Sequence, residues 1–323
     1  MARGKTSDST FLSKVAAGDR SAIRWVIVII IALCVGVWWA FRPRSMAVAQ
    51  PAGPNDVGAP AHSLATLTLA GGEQISLDDA PDGVLAMQGG VKIFKNSDGQ
   101  VIYRADAQNS GELLYNTFNN PRGSTVIEVR LSDDTRVWLN AGSTLRCPTI
   151  FPSDDRTIDI TGEAYVEVAS DARRPFRVKR GNIVVTVLGT SFNIRVYNDE
   201  PLQRVTLVEG KVRVTCNNSL ILEAGEQAVL ADRAELVKDV HPDGVMAWKN
   251  GLFSFSHTDL VSAMRELSRW YNVDVNYEDN MPDRYFTGKL DRTLTLDQVL
   301  KTLTDGRIHY SIDVGKRRLT IGP

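Results

Sequence analysis

Between Leu131 and Asn193 four short strings follow one another: LSDDTRVWLNAGS, ITGEAYVEV, RRPFRVKRG and VLGTSFN. Apolar and polar residues alternate through each. A period of two puts successive side chains on opposite faces, so every string is expected to be a half-buried strand ending in a turn. Ile127, Val129 and Leu131 face one way while Glu128 and Arg130 face the other. The alternation returns at Ile158 and Ile160, Val166 and Val168, Phe176 and Val178, and Phe192, Ile194 and Val196. Gly162, Gly181, Gly189, Gly210 and Gly225 stand at or beside the ends of these runs, where turns need a positive φ or a close backbone approach. Asn140-Ala-Gly-Ser, Asn198-Asp-Glu-Pro and Asn217-Asn-Ser supply further turns. The chain is therefore mainly β, with its strands coiled into a solenoid or stacked as a sandwich.

Taken as a set, the four strings fit the pattern LxDGTxVxLNAxS, GEAYFxVxxD, PFxV and VLGTxFNV. The block resembles the FecR family of sigma regulators, with Asp134 in place of the glycine of the first turn and Val166 in place of an aromatic residue. The resemblance implies a single-span inner-membrane protein that passes a periplasmic signal to a cytoplasmic sigma factor. It also implies a periplasmic partner, the signalling domain of an outer-membrane TonB-dependent transporter.

Trp25 to Phe41 (WVIVIIIALCVGVWWAF) carries no charge and is bounded by Arg24 and Arg42. As a helix it reaches about 25 Å, the short end of what spans a bilayer. Trp25 at one end and Trp38, Trp39 and Phe41 at the other have the character of interfacial anchors. Arg3, Lys5, Lys14, Arg20 and Arg24 precede the run, whereas only Arg42 and Arg44 follow it before Lys92. The positive-inside rule then leaves the N-terminus in the cytoplasm and the C-terminus in the periplasm. A cleaved signal peptide is the competing reading, since Ala47-Val48-Ala49 has the small-x-small form of a cleavage site; the basic leader of residues 1–24 and the length of the apolar run favour a span.

The chain divides into a cytoplasmic tail (1–24), a transmembrane helix (25–41), a periplasmic linker (42–62), an all-β domain (63–242) and a small α+β domain (243–323). Residues 45–62, rich in proline, glycine and alanine, read as an extended spacer unable to bury a core. Leu64–Leu77 and Gly90–Arg104 read as hairpins, the second turning at Asn96-Ser-Asp-Gly. With 323 residues and 43% apolar composition, both domains can build cores. Cys34 lies in the apolar run, while Cys147 and Cys216 are either a disulfide or two buried thiols.

Past His241-Pro-Asp-Gly strands begin to alternate with helices. Leu252–Phe255 reads as a strand and Ser256–Tyr271 as a helix, with Leu260, Ala263, Met264, Leu267 and Trp270 on one stripe and Ser256 with Asp259 as its cap. Strands at Val273–Tyr277 and Tyr285–Leu290 follow, then a helix over Thr295–Thr304 opened by Thr295-x-x-Gln298, then a hairpin over His309–Ile321. The order βαββαββ packs two helices on one small sheet. It resembles the STN-like domain that follows the FecR region in Bacteroidetes-type members, on the strings GLFSFSHTDLVSAMRELSRWYNVDVNYE and FTGKLDRTLTLDQVLKTLT. Trp270 and Tyr271 read as core, and Lys316-Arg-Arg as a solvated hairpin tip.

No catalytic, cofactor-binding or metal-ligating set is predicted. His62, His241, His257 and His309 stand alone, no G-x-S-x-G elbow occurs, and Gly4-Lys-Thr lacks the upstream glycine of a phosphate loop. Glu163 reads as a turn or strand-edge residue. A net charge of −1 offers nothing to nucleic acid. The expected function is anti-sigma signal transduction. The alternatives are a membrane-anchored structural β protein without cytoplasmic output and a carbohydrate-binding one or a carbohydrate-active enzyme, for which Trp138 is the one candidate aromatic. A tail of residues 1–24 is short for the helical sigma-binding region the resemblance implies. Its Thr10–Gly18 stretch presents Phe11, Leu12 and Val15 as the sigma contact, and weak binding is expected from so small a face.

Overall fold

The computed structural model describes residues 52–105, 112–304 and 308–323. The anchor residues Trp25, Trp38, Trp39 and Phe41 and the tail residues Phe11, Leu12 and Val15 lie outside the described residues.

The β region takes the sandwich-like form. One sheet runs edge to edge through Gln74–Ser76, Thr66–Thr68, Tyr115–Asn120, Ser143–Pro148, the first half of Arg156–Glu167, Phe176–Arg180, Ile183–Val187, Val212–Cys216 and Asn218–Leu222. The other runs through Gly83–Gln88, Val91–Lys95, Val101–Ala105, Ile127–Arg130, Arg136–Leu139, the second half of Arg156–Glu167, Ser191–Val196, Gln203–Glu209, Gln227–Leu230 and Ala234–Val237. Nearly every pairing is antiparallel, as two-residue alternation with short turns favours. Leu67, Ile93, Phe118, Val129, Leu145, Val166, Phe176 and Ile194, drawn from both sheets, meet in a single buried core. Each such side chain contributes roughly 1.5–3 kcal/mol.

Arg156–Glu167 belongs to both sheets, and the glycine in its middle explains how. Gly162 is not at a turn, as its neighbours suggested, but inside the strand at φ +93°. The strand bends there, pairing with Ser143–Pro148 before the bend and with Arg136–Leu139 and Ser191–Val196 after it. A Cβ at this position would lie 2.6 Å from the Ser143 Cα. Only glycine fits.

The C-terminal region begins with one helical turn at Pro242–Val245 and a 3₁₀ turn at Ala247–Asn250. The expected βαββαββ order follows: strand Leu252–Asp259, helix α1 (Leu260–Tyr271), strands Asp274–Tyr277 and Tyr285–Asp291, helix α2 (Leu296–Thr304), and strands His309–Asp313 and Arg318–Gly322. All five residues of the predicted stripe on α1 are buried. Two features differ from the sequence expectation. The strands form two sheets, Leu252–Asp259 with Tyr285–Asp291 and the other three together, because the helices fill the space a single sheet would close. Helix α1 starts four residues later than predicted: a bulge holds Ser256–Thr258 in the strand, and Asp259 itself caps the helix by accepting the Ser262 N–H at 2.9 Å. The Lys316-Arg-Arg tip is exposed as expected, and from it the Arg317 guanidinium also donates to the Tyr271 and Asn272 carbonyls at the C-terminus of α1. Helix α2 opens as predicted, with Thr295 N–H donating to Gln298 Oε1 at 3.0 Å and Gln298 N–H to Thr295 Oγ1 at 3.4 Å.

Candidate functional site at the joint of the two regions

The functional candidate is the polar seam along which the C-terminal region docks on the β region, and it starts from an acid that sequence reading placed at a turn or strand edge. Glu163 lies in the shared strand, opposite Arg195 on one side and with its carbonyl accepting the Asn140 N–H at 3.0 Å on the other, and is 4% exposed. The correction follows from topology, since the chain fold puts a strand against each of its edges. Asn140 Nδ2 donates to Glu163 Oε2 at 2.9 Å, and Asn193 Nδ2 donates to Oε1 at 3.1 Å. A carboxylate only accepts, so each asparagine must turn its amino group inward and its carbonyl outward.

Both carbonyls then meet donors from the C-terminal region. Arg292 Nη1 donates to Asn140 Oδ1 at 2.9 Å, and the Trp248 indole N–H donates to Asn193 Oδ1 at 3.1 Å. Neither donor can act as an acceptor, so the polarity of the whole chain of bonds is set by one carboxylate. The LNA, GEA and FN strings of the sequence thus meet in space as one docking device. Asn140 comes from the turn after Arg136–Leu139, Glu163 from just past the bend at Gly162, and Asn193 from Ser191–Val196.

Around this triad stands a ring of charges. Arg195 from the β region pairs with Glu200 at 2.7 Å and approaches Glu163 at 3.8 Å and Glu266 of α1 at 4.0 Å. Arg269 of α1 pairs with Glu200 and with Asp199 at 3.0 Å, its guanidinium 3.8 Å from the Tyr197 ring centroid. Arg292 pairs with Glu266 at 3.0 Å and lies over Phe253 and Trp270. Burial would raise the Glu200 carboxyl, but hydrogen bonding from Arg195 and the charges of Arg195 and Arg269 hold it below the usual range. Burial would lower Arg195, and the charge of Glu163 with the bonds and charges of Glu200 and Glu266 instead raises it well above its ordinary value. Tyr197, whose hydroxyl donates to the Ala141 carbonyl at 2.8 Å, is pushed up by burial and by Glu163.

A second clasp joins the loop at Arg122 to the C-terminal end of α1. Arg122 Nη1 donates to Asp274 Oδ1 at 3.0 Å and Nη2 to Ser268 Oγ at 3.1 Å and to the Val273 carbonyl. The Gly123 N–H donates to the Arg269 carbonyl at 2.8 Å. Gly123, at φ +73°, comes so near that a Cβ would lie 2.8 Å from the Asn272 Cβ.

Trp138 is covered. It packs against Tyr165 at 5.5 Å between centroids, with Trp248 in the same cluster, Lys249 Nζ 4.0 Å and the Arg136 guanidinium 4.5 Å from its ring. It offers no platform to a sugar. Trp270 and Tyr271 are buried, their polar tips donating to the Arg292 and Leu294 carbonyls. Cys147 and Cys216 are separate, buried and unpaired. Among the described residues no group of three or more His, Cys, Asp or Glu is placed to hold a metal ion. Sequence reasoning missed Arg195, Arg269, Arg292 and Trp248, which come from four separate elements; a cation beside the apolar stripe of α1, at Arg269, was the one local signal.

The comparisons with known proteins agree with this two-part build. The family profile described as FecR protein matches residues 122–213, and the profile described as FecR, C-terminal matches residues 252–321. The two matches begin at Arg122 and at Leu252, on either side of the seam. No curated protein matches the chain. Two crystal structures of a proposed anti-sigma factor from Parabacteroides distasonis ATCC 8503, at 1.65 and 2.50 Å, are similar to it. Each is 31% identical with a TM-score of 0.59, and the match covers 64% of this chain and 97% or 98% of the other. The chain belongs to the FecR family of anti-sigma factors.

Proposed function

We propose that this protein is a single-span inner-membrane transducer that receives a periplasmic signal from a TonB-dependent outer-membrane transporter and regulates a cytoplasmic extracytoplasmic-function sigma factor, and that it is not an enzyme. Family membership implies a sigma factor as partner. The observation that carries the reading is the pair of family matches on the β and C-terminal regions, joined by a seam whose polar groups are bonded to one another rather than presented to a substrate. The apolar run at Trp25–Phe41 and the basic residues before it support a cytoplasmic N-terminus and a periplasmic C-terminus.

The C-terminal region, read as STN-like, is the receiving surface. Asp274–Tyr277 and His309–Asp313 are the outer strands of its three-stranded sheet, so each has an edge that no strand among the described residues pairs and that a partner strand can take. Tyr277, Tyr285 and Val261 are exposed on this region. Titrating the full-length protein in detergent with the transporter's signalling domain should show binding, and Tyr277→Arg should weaken it at least tenfold. Absence of heat and of amide shifts with the parent protein would remove the transporter from the reading. Reporter fusions after Pro323 and before Met1 test topology, with periplasmic activity expected for the first alone.

A further inference from the structure

The described end of the linker, residues 52–62, does not run free to the β region. Val57 is 2% exposed and lies in the apolar cluster of the C-terminal region together with Tyr271, Leu296 and Leu300. Its carbonyl accepts the Leu296 N–H at 2.9 Å. Asp56 Oδ1 accepts its neighbour's N–H at 2.7 Å and the Asp297 N–H at 2.9 Å. Leu296 and Asp297 form the first turn of α2, where the helix has no acceptor of its own for these amides and where a carboxylate meets the positive end of the dipole. The β region is reached later, where the His62 carbonyl accepts the Thr125 N–H at 3.2 Å and Leu64 N–H donates to Ser124 Oγ at 2.8 Å.

We propose that Asp56 and Val57 form a latch by which the C-terminal region holds the chain that leads to the membrane anchor, so that its release lengthens the tether. The proposal rests on the anchor reading of Trp25–Phe41. While the latch is closed, residues 42–55 are the tether, reaching at most about 48 Å. Once it opens, residues 42–61 are free, which adds roughly 20 Å. A route from the receiving surface to the latch is in place. Tyr310, on the outer strand His309–Asp313, donates its hydroxyl to Asp297 Oδ1 at 2.8 Å, and the Asp297 N–H is held by Asp56. A partner strand added at that edge would bear on Tyr310, which is a single residue, Asp297, removed from the latch.

The test is amide exchange at Leu296 and Asp297, measured by NMR on the full chain in detergent. These two amides owe their protection to the latch, so Asp56→Ala should speed their exchange at least tenfold, while Asp56→Asn, which keeps an acceptor oxygen, should restore most of it. Amides in the core strand Phe176–Arg180 serve as the folding control and should not move. Parent amides at 296 and 297 already exchanging at the Asp56→Ala rate would overturn the latch. In cells, Asp56→Ala and Val57→Ser should shift a sigma-dependent reporter at least threefold without inducer. A reporter that responds to deletion of the whole chain but not to these variants would overturn the signalling role of the latch. If deletion leaves the reporter unmoved, sigma regulation is the reading that fails, and the exchange measurement still decides the latch.

Discussion

Glu163 shows how much one buried carboxylate can organise. It accepts from two asparagine amides and so decides which way their carbonyls point, and those carbonyls are what Arg292 and the Trp248 indole bind. Glu163→Gln keeps the volume but puts an amino group against one of the asparagine amino groups. One asparagine must then flip and abandon its partner across the seam. Removing one member of a buried charged set costs about 3 kcal/mol. The expected result is a matching fall in stability by urea denaturation and faster proteolysis between the two regions; a variant within 0.5 kcal/mol of the parent, roughly the error of such a measurement, would remove the triad from its role. The cysteines give a second residue-scale expectation. Burial pushes the Cys147 thiol up to about 12, and Cys216 is 1% exposed. Because the thiolate is the reactive form, neither should take up maleimide in the native protein, and mass spectrometry should find both labelled only as the protein unfolds.

At the scale of elements, Arg156–Glu167 does what no other described strand does, joining two sheets through one backbone bend. Gly162→Ala would force a Cβ onto the Ser143 backbone at a positive φ, combining a conformational penalty with a steric one. We expect a loss of about 3 kcal/mol or more, read from the denaturation midpoint, whereas Gly181→Ala, in a turn with open space around it, should cost about 1 kcal/mol. Equal losses at the two sites would refute the account of the bend. Helix α1 carries a related lesson. The Gly123 N–H reaches the Arg269 carbonyl from the β region and Arg317 reaches the Tyr271 carbonyl from the final hairpin, so carbonyls in the last turn of the helix become the contact points of two other elements.

At the scale of the molecule, the seam should be sensitive to acid. Glu200 has its carboxyl held below the ordinary carboxylate range by Arg195 and Arg269, so its folded value is below its unfolded one. Its contribution to stability is present above the unfolded value, about 4.3 for a glutamate, and is lost as pH falls through the lower folded value. Arg195, raised further above its already high value, stays charged across this window and adds no slope. The melting temperature should therefore drop steeply below about pH 4. Glu200→Gln should lower it at neutral pH and flatten the acid slope; an unchanged slope in that variant would assign the acid response elsewhere.

The sequence by itself determined the strand alternation from Ile127 to Val196, the apolar stripe of α1, the reciprocal cap of α2 and the βαββαββ order, because each is a periodicity or a spacing within a few residues. It also carried the family resemblance, since that rests on strings of residues. Tertiary structure alone decided that both sheets share one strand, that Asn140, Glu163 and Asn193 converge, that three arginines close the seam, and that Val57 leaves the linker for a core. The contact between Asp56 and Asp297 spans 241 residues of chain. No local period encodes a partner so distant. Such pairs form only when apolar faces have already chosen their layers, and polar groups buried by that choice must then find one another or lose their hydrogen bonds.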